Sequence, residues 1–231
     1  MSYRTGPKIV TDGLVCCLDA ADRNSYPGTG STWGDLSGNG NNGNMENGVV
    51  ISNGYASYDG SNDGVDIPRV YPGSLSITSN VTLEAFINYS ISANNTGWMI
   101  VIDDMGSSPY TSYSLWINSD TPNKLLASYD SNNWKFSTVS ISPNEWNHIA
   151  LSKNGASGKF YINGQDAGSI TYTNLVNFTL ETTTGTGIGR HKNNSGYPFN
   201  GKIAFAKVYN RALSDQEIRQ NYEATKGRFG L

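Results

Sequence analysis

The chain has 231 residues, with 16 Lys and Arg against 19 Asp and Glu, for a formal net charge of −3. Only 15% of the residues are charged, and with no long basic run a phosphate-tracking nucleic-acid surface is excluded. No window nears the roughly 20 apolar residues of a membrane span, and the opening MSYRTGPKIV holds no signal-peptide core, so the expectation is a chain made in a cytoplasm, with no nucleic-acid partner and no membrane insertion.

With 26 Gly and 14 Tyr, and turn residues recurring about every ten positions, the pattern is that of a sandwich or barrel. Residues Met1–Asp12 read as an N-terminal extension, and 13–231 as one domain without an internal repeat or linker. Gly13–Asp19 (GLVCCLD) is a short apolar strand carrying the two cysteines, Cys16 and Cys17. Their side chains point to opposite faces, which opposes a mutual disulfide and predicts one core thiol and one exposed or interface thiol. A Gly- and Asn-rich loop over Arg23–Asn47 follows, anchored by Trp33. Tyr55–Asp59 and Val65–Ile67 are predicted as short strands. Val81–Tyr89 alternates strictly: Val81, Leu83, Ala85, Ile87 and Tyr89 share one face, and Thr82, Glu84, Phe86 and Asn88 the other. Trp98–Ile102 suits a buried strand, and Thr111–Asn118, Lys124–Asp130 and Trp134–Ile141 suit a meander. Trp146–Lys153 and Lys159–Ile162 pair, and Asn163-Gly164 supplies the positive-φ turn that returns the chain along Asp166–Tyr172. Ile203–Tyr209 is the last strand. A helix over 214–226 then starts on a capping box of Ser214 and Glu217 with a Leu213–Ile218 staple, and Gly227 is its predicted stop.

Four stretches in order resemble one family: Tyr58–Ile67 (YDGSNDGVDI), Val81–Ile87 (VTLEAFI), Trp146–Leu151 with Lys159–Gln165 (KFYINGQ), and Gly201–Ile218 with its Tyr209–Ser214 segment YNRALS. Together they are similar to the laminin-G-like branch of the concanavalin A-like lectin/glucanase fold. The resemblance implies an all-β, two-sheet antiparallel jelly-roll sandwich with a short C-terminal helix. The chain departs from it at Ala204-Phe205-Ala206, where many relatives carry acidic residues, so no role of those acids is carried over. The two ends, including Asp35–Gly43 and Asn221–Leu231, resemble structural proteins of tailed bacteriophages from marine settings.

Because the fold also houses glycoside hydrolases, carboxylates come first. Such an enzyme needs two of them about 5 to 10 Å apart. The glucanase pattern E-x-D-x-x-E is missing, Glu84 stands alone on its strand face, and Asp103 and Asp104 are strand neighbours that point oppositely. Nucleophilic catalysis has no G-x-S-x-G elbow and two histidines: His148 reads as a packed structural residue, and His191 as a loop residue or a ligand contact. Gly38–Gly43 matches G-x-G-x-x-G but has no strand before it or helix after it, so its glycines serve a compact loop rather than a nucleotide. Relatives carry structural calcium, and Asp59, Asn62, Asp63 and Asp66 are the residues that could supply oxygens to it, or else they are turn formers. A sugar is held by an exposed aromatic ring and nearby polar groups. Trp98, Trp116, Tyr129, Trp134 and Tyr197 are the candidate rings, against the alternative that each is core. Trp134, with Asn133 beside it, has the most polar surroundings.

The expected function is binding without catalysis. The resemblance of the ends makes it a virion component, a capsid decoration or a tail or fibre protein. Its partners would be other virion proteins or cell-surface carbohydrate, and a homo-oligomer is among the expected assemblies, because a lone weak lectin gains avidity when displayed in many copies. A free bacterial carbohydrate-binding lectin is the alternative, and a glycoside hydrolase a third reading.

Overall fold

A computed structural model describes residues 7–91, 97–104, 112–119, 123–130, 133–173, 177–178, 185–192 and 196–231. Among them the strands run β1 (Leu14–Asp19), β2 (Thr32–Trp33), β3 (Gly43–Glu46), β4 (Val50–Ser52), β5 (Tyr55–Asp59), β6 (Gly64–Pro68), β7 (Val81–Tyr89) and β8 (Trp98–Asp103). They continue as β9 (Ser114–Asn118), β10 (Lys124–Asp130), β11 (Asn133–Ser140), β12 (Asn147–Asn154), β13 (Ser157–Ile162), β14 (Gln165–Thr171), β15 (Gly185–Ile188) and β16 (Asn200–Tyr209). Helix α1 (Asp215–Thr225) and a 3₁₀ turn over Lys226–Phe229 close the chain. Residues 1–6 of the predicted N-terminal extension lie outside the described residues.

The strands form two antiparallel sheets. The first is ordered β14-β13-β12-β7-β16-β5-β4, and the second β11-β10-β9-β8-β15-β6-β3-β2. In the first sheet β16 pairs with β7 along one side. Along the other, its first half pairs with β5 and its second half with β1. A bulge between Ile203 and Phe205 separates the halves. The alternation of β7 is realised as predicted: Val81, Leu83, Ala85, Ile87 and Tyr89 enter the inter-sheet core beside Met99, Val101, Leu115, Ile117 and Leu125 of the second sheet. Trp33, the predicted loop anchor, is fully buried there. Asn163 and Gly164 take φ 51° and 72°, the left-handed pair that a two-residue hairpin turn requires.

The helix begins as its sequence dictates. The Ser214 side chain accepts the Glu217 N–H, and the Glu217 carboxylate accepts the Ser214 N–H at 2.9 Å. Leu213 and Ile218 are both buried. The predicted stop at Gly227 is displaced: the chain continues through the 3₁₀ turn, and Gly230 takes the left-handed conformation at φ 76°. The helix lies on the outer face of the first sheet, over a buried polar cluster. Glu84 there accepts hydrogen bonds from Asn221 Nδ2 at 2.7 Å and Lys207 Nζ at 3.3 Å, and meets His148 Nε2 at 2.7 Å. His148 is therefore the packed structural histidine its strand position suggests. Both cysteines are buried, Cys16 in the core and Cys17 on the opposite face beside Lys207. The expected exposed or interface thiol is corrected: Cys17 is 4% exposed, beside Lys207 in the buried polar cluster around Glu84.

Candidate functional site

The outer face of the second sheet carries two neighbouring rows of side chains. One row is polar and crosses five strands by direct pairing: Asn44 on β3 faces Asp66 on β6, Asp66 faces Gly187 on β15, Gly187 faces Asp103 on β8, and Asp103 faces Ser114 on β9. The other is apolar: Ile100 faces Trp116, Trp116 faces Leu126, and Leu126 faces Phe136. Period-two alternation puts each row on the face opposite the core. A bulge between Ile100 and Ile102 resets the register of β8, so that Ile102 enters the core while Asp103 joins the outer face. Asp104, next in the chain, is buried against Arg69, Thr186 and Ser112. The two aspartates thus point apart, as their adjacency predicts.

Trp116 is the floor of an aromatic cluster. Its ring centroid lies 5.1 Å from Trp134, 5.2 Å from Tyr197, 5.5 Å from His191 and 6.2 Å from Trp98. Trp98 is in turn 5.1 Å from Trp134, edge to face, and 5.9 Å from Tyr197. Trp116 is 1% exposed, Trp98 and Trp134 are half-buried, and Tyr197 is 38% exposed. The segment after β15 brings in the last two members. A Cβ at Gly187 would run into the Arg190 carbonyl, so glycine lets this segment cross directly over the sheet. The backbone carbonyl of Tyr197, at φ 56°, accepts the Ile100 N–H at 3.0 Å.

The two rows are joined by one carboxylate. Asp103 Oδ1 accepts the Trp116 indole N–H at 2.9 Å, and His191 Nδ1 lies 2.7 Å from Asp103 Oδ2. Burial works against the His191 imidazolium, but the hydrogen bond and charge of Asp103 more than offset it and raise its pKa above the ordinary value. Arg190 pairs with Asp66 at 3.2 Å and covers the far end of the polar row. Burial raises the Asp66 carboxyl despite the Arg190 charge. The Ser114 hydroxyl and Asp66 Oδ1 are buried without a hydrogen-bond partner among the described residues. The arrangement offers ring faces and edges for apolar C–H surface and a carboxylate–imidazole pair for hydroxyls.

Five residues named from the sequence, Trp98, Trp116, Trp134, His191 and Tyr197, are therefore brought together. Tyr129 and Asn133 stand on the adjoining β10–β11 hairpin, where their side chains lie outside the described residues. What the sequence left out is Asp103, noted there only for lacking a catalytic partner. The four residues offered to calcium are each engaged in local contacts. Asp59 Oδ1 accepts the Ser61 N–H, Asp63 Oδ2 accepts the Asp59 N–H, and Asn62 accepts from Asn47 through its backbone carbonyl. Asp66 sits in its ion pair with Arg190, a cation where a metal would need none. Among the described residues no group of three or more His, Cys, Asp or Glu could hold a metal ion. In these contacts the four act as turn and ion-pair residues.

A laminin-G family model, described as the concanavalin A-like lectin/glucanases superfamily, matches residues 59–219. The chain belongs to this superfamily. No curated protein matches it in sequence. Among solved structures it is similar to Trypanosoma rangeli sialidase in complex with sialic acid, with a TM-score of 0.69 and 18% identity over 94% of this chain and 33% of that one. It is similar as well to domain 4 of AbnA, a GH43 extracellular arabinanase from Geobacillus stearothermophilus in complex with arabinotriose. There the TM-score is 0.64 and the identity 18%, over 90% of this chain and 98% of that domain. The chain thus spans about a third of the length of the sialidases it matches, and at such identities the likeness is one of fold. Two expectations are corrected by these comparisons. The solved structures named above belong to a sialidase and an arabinanase, which lend a virion component no support. The expectation of a chain without catalysis falls too, because the matching proteins include sialidases, which are enzymes, matched over a third of their length. Among the described residues no helix is long and apolar enough to cross a membrane.

Proposed function

We propose that the chain recognises carbohydrate through the outer face of its second sheet. The carrying observation is the convergence of Trp98, Trp116, Trp134 and Tyr197 on the Asp103–His191 pair. Sugars present patches of C–H surface edged by hydroxyls. Aromatic rings meet the first, and a few fixed polar groups meet the second, as in most small-molecule sites. The floor and the rim divide the work: buried Trp116 holds the geometry, while half-buried Trp98 and Trp134 and exposed Tyr197 supply contact surface. Support also comes from the arabinanase domain, whose structure holds arabinotriose and which this chain matches over nearly that domain's full length.

A glycan array followed by isothermal titration tests the reading. The wild-type protein is expected to select one saccharide class, and Trp134→Ala to weaken binding at least tenfold, about 1.4 kcal/mol, with no change of fold by circular dichroism. The same ligands, followed for released reducing sugar, read out turnover. A flat array, or unaltered affinity in Trp134→Ala and Trp98→Ala alike, would remove this face from consideration.

A further inference from the structure

The first sheet has an outer face as well, and α1 covers only part of it. The covered part holds Lys207 against Glu84. The other part is a row across four strands: Val50 on β4 faces Ser57 on β5, Ser57 faces Lys202 on β16, and Lys202 faces Asn88 on β7. Val50 is 58% exposed, and Ser57, Lys202 and Asn88 are half-buried. Two half-buried rings stand beside the row. Tyr55 and Trp146 have centroids 5.8 Å apart, and Lys202 Nζ is 4.8 Å from the centre of the Tyr55 ring. The 3₁₀ turn walls one side, with Phe229 stacked 4.0 Å from Phe86 and 4.5 Å from Trp146.

We propose that this uncovered half is a second saccharide site, for a sugar that carries a carboxylate. The proposal stands apart from the aromatic face of the second sheet, since the two lie on opposite outer surfaces of the sandwich and share no residue. Charge decides the ligand class. Lys207, five residues along the same strand, is neutralised by Glu84, whereas among the described residues Lys202 forms no ion pair and its ammonium lies over the Tyr55 ring. The side chains of Ser57 and Asn88 on either side form no hydrogen bond among the described residues, so donors and acceptors remain available for hydroxyls. Asp59, the next residue of β5 on this face, turns its Oδ1 to the Ser61 N–H. The Asp59 carboxylate lies one pair further along β5, opposite Asn200, so an ammonium over the Tyr55 ring and directly between two neutral polar groups suits a uronate or sialate better than a neutral sugar, because a charge-assisted hydrogen bond is about twice as strong as a neutral one.

Titration calorimetry with trigalacturonate and with neutral galactotriose tests the proposal on the full chain. Wild type is expected to bind the acidic trisaccharide at least tenfold more tightly than the neutral one, with affinity falling as salt rises. Lys202→Met should abolish that preference, and Lys202→Arg should restore it in part. The thermal midpoint of Lys202→Met should stay within a few degrees of wild type, which separates lost contact from lost fold. Equal affinity in wild type and Lys202→Met, no measurable binding of trigalacturonate, or its loss in Trp134→Ala instead, would each overturn the site.

Discussion

Asp103 accepts from an indole and lies against an imidazole at once, and that double engagement fixes how the second sheet's face responds to pH. A carboxylate 1% exposed is costly unless paired, and here Trp116 and His191 share the task. The His191 pKa is raised in the folded state, since Asp103 outweighs burial. Its stabilising effect is therefore fully present below the unfolded value of about 6.5 and drains away as pH rises through the folded value. His191→Gln should cost more unfolding free energy at pH 6 than at pH 9 in paired urea titrations. An equal cost at both would show that the imidazole's charge plays no part. The sequence made His191 visible as one of two histidines, yet its partner lies 88 positions upstream, and only the bulge in β8 turns Asp103 outward.

At the scale of elements, what holds α1 to the first sheet is Glu84, in contact with side chains from β12, β16 and the helix itself. Burial pushes its carboxyl upward, but Lys207, His148 and Asn221 more than offset that and hold it at about 2. A depressed carboxyl stabilises above the unfolded value of about 4.3 and loses that contribution as pH falls toward 2. Glu84→Gln, leaving Lys207 buried without its counter-charge, is expected to cost about 3–5 kcal/mol at pH 7. The gap from wild type should narrow in chemical denaturation below pH 4, and a gap independent of pH would refute the ion pair's role. Elements with local signals were legible: the alternation of β7, the Asn163-Gly164 turn and the Ser214–Glu217 cap each lie within a few residues. Strands β3 (GNME) and β15 (GTGI) were not. Glycine-rich and short, they have little strand preference of their own and are held by the neighbours that pair with them. The helix stop was misplaced for a related reason, since Phe229 finds Phe86 and Trp146 only after three more residues of helical turn.

Across the whole molecule, the two outer faces divide into covered and open surface, and the core between them seals one of the two thiols. Burial pushes Cys17 up to about 12, with Lys207 opposing, and raises Cys16 well above its ordinary value. Only the thiolate reacts, so both should resist Ellman's reagent at pH 8 until the sandwich unfolds. Both should then label together at the midpoint seen by tryptophan fluorescence, and fast labelling of Cys17 in native buffer would show that its cover opens locally. The fold was readable from family-like stretches spread along the chain, but the site was readable only in pieces. Trp98, Trp134 and Tyr197 could be chosen as rings in polar surroundings. Their gathering around Trp116 depends on the β8-β9-β10-β11 order and on the crossing at Gly187, which no local pattern encodes.

The position of β16 carries a consequence for how the protein is made. It is the last strand in sequence, yet it sits mid-sheet, hydrogen-bonded to β7 on one side and to β5 and β1 on the other. During synthesis, then, β1, β5 and β7 leave the ribosome well before the strand that unites the first sheet does. Until it arrives, three strands wait with bare edges, a state open to aggregation, and a nascent chain halted before Asn200 should depend on chaperones while the finished one does not.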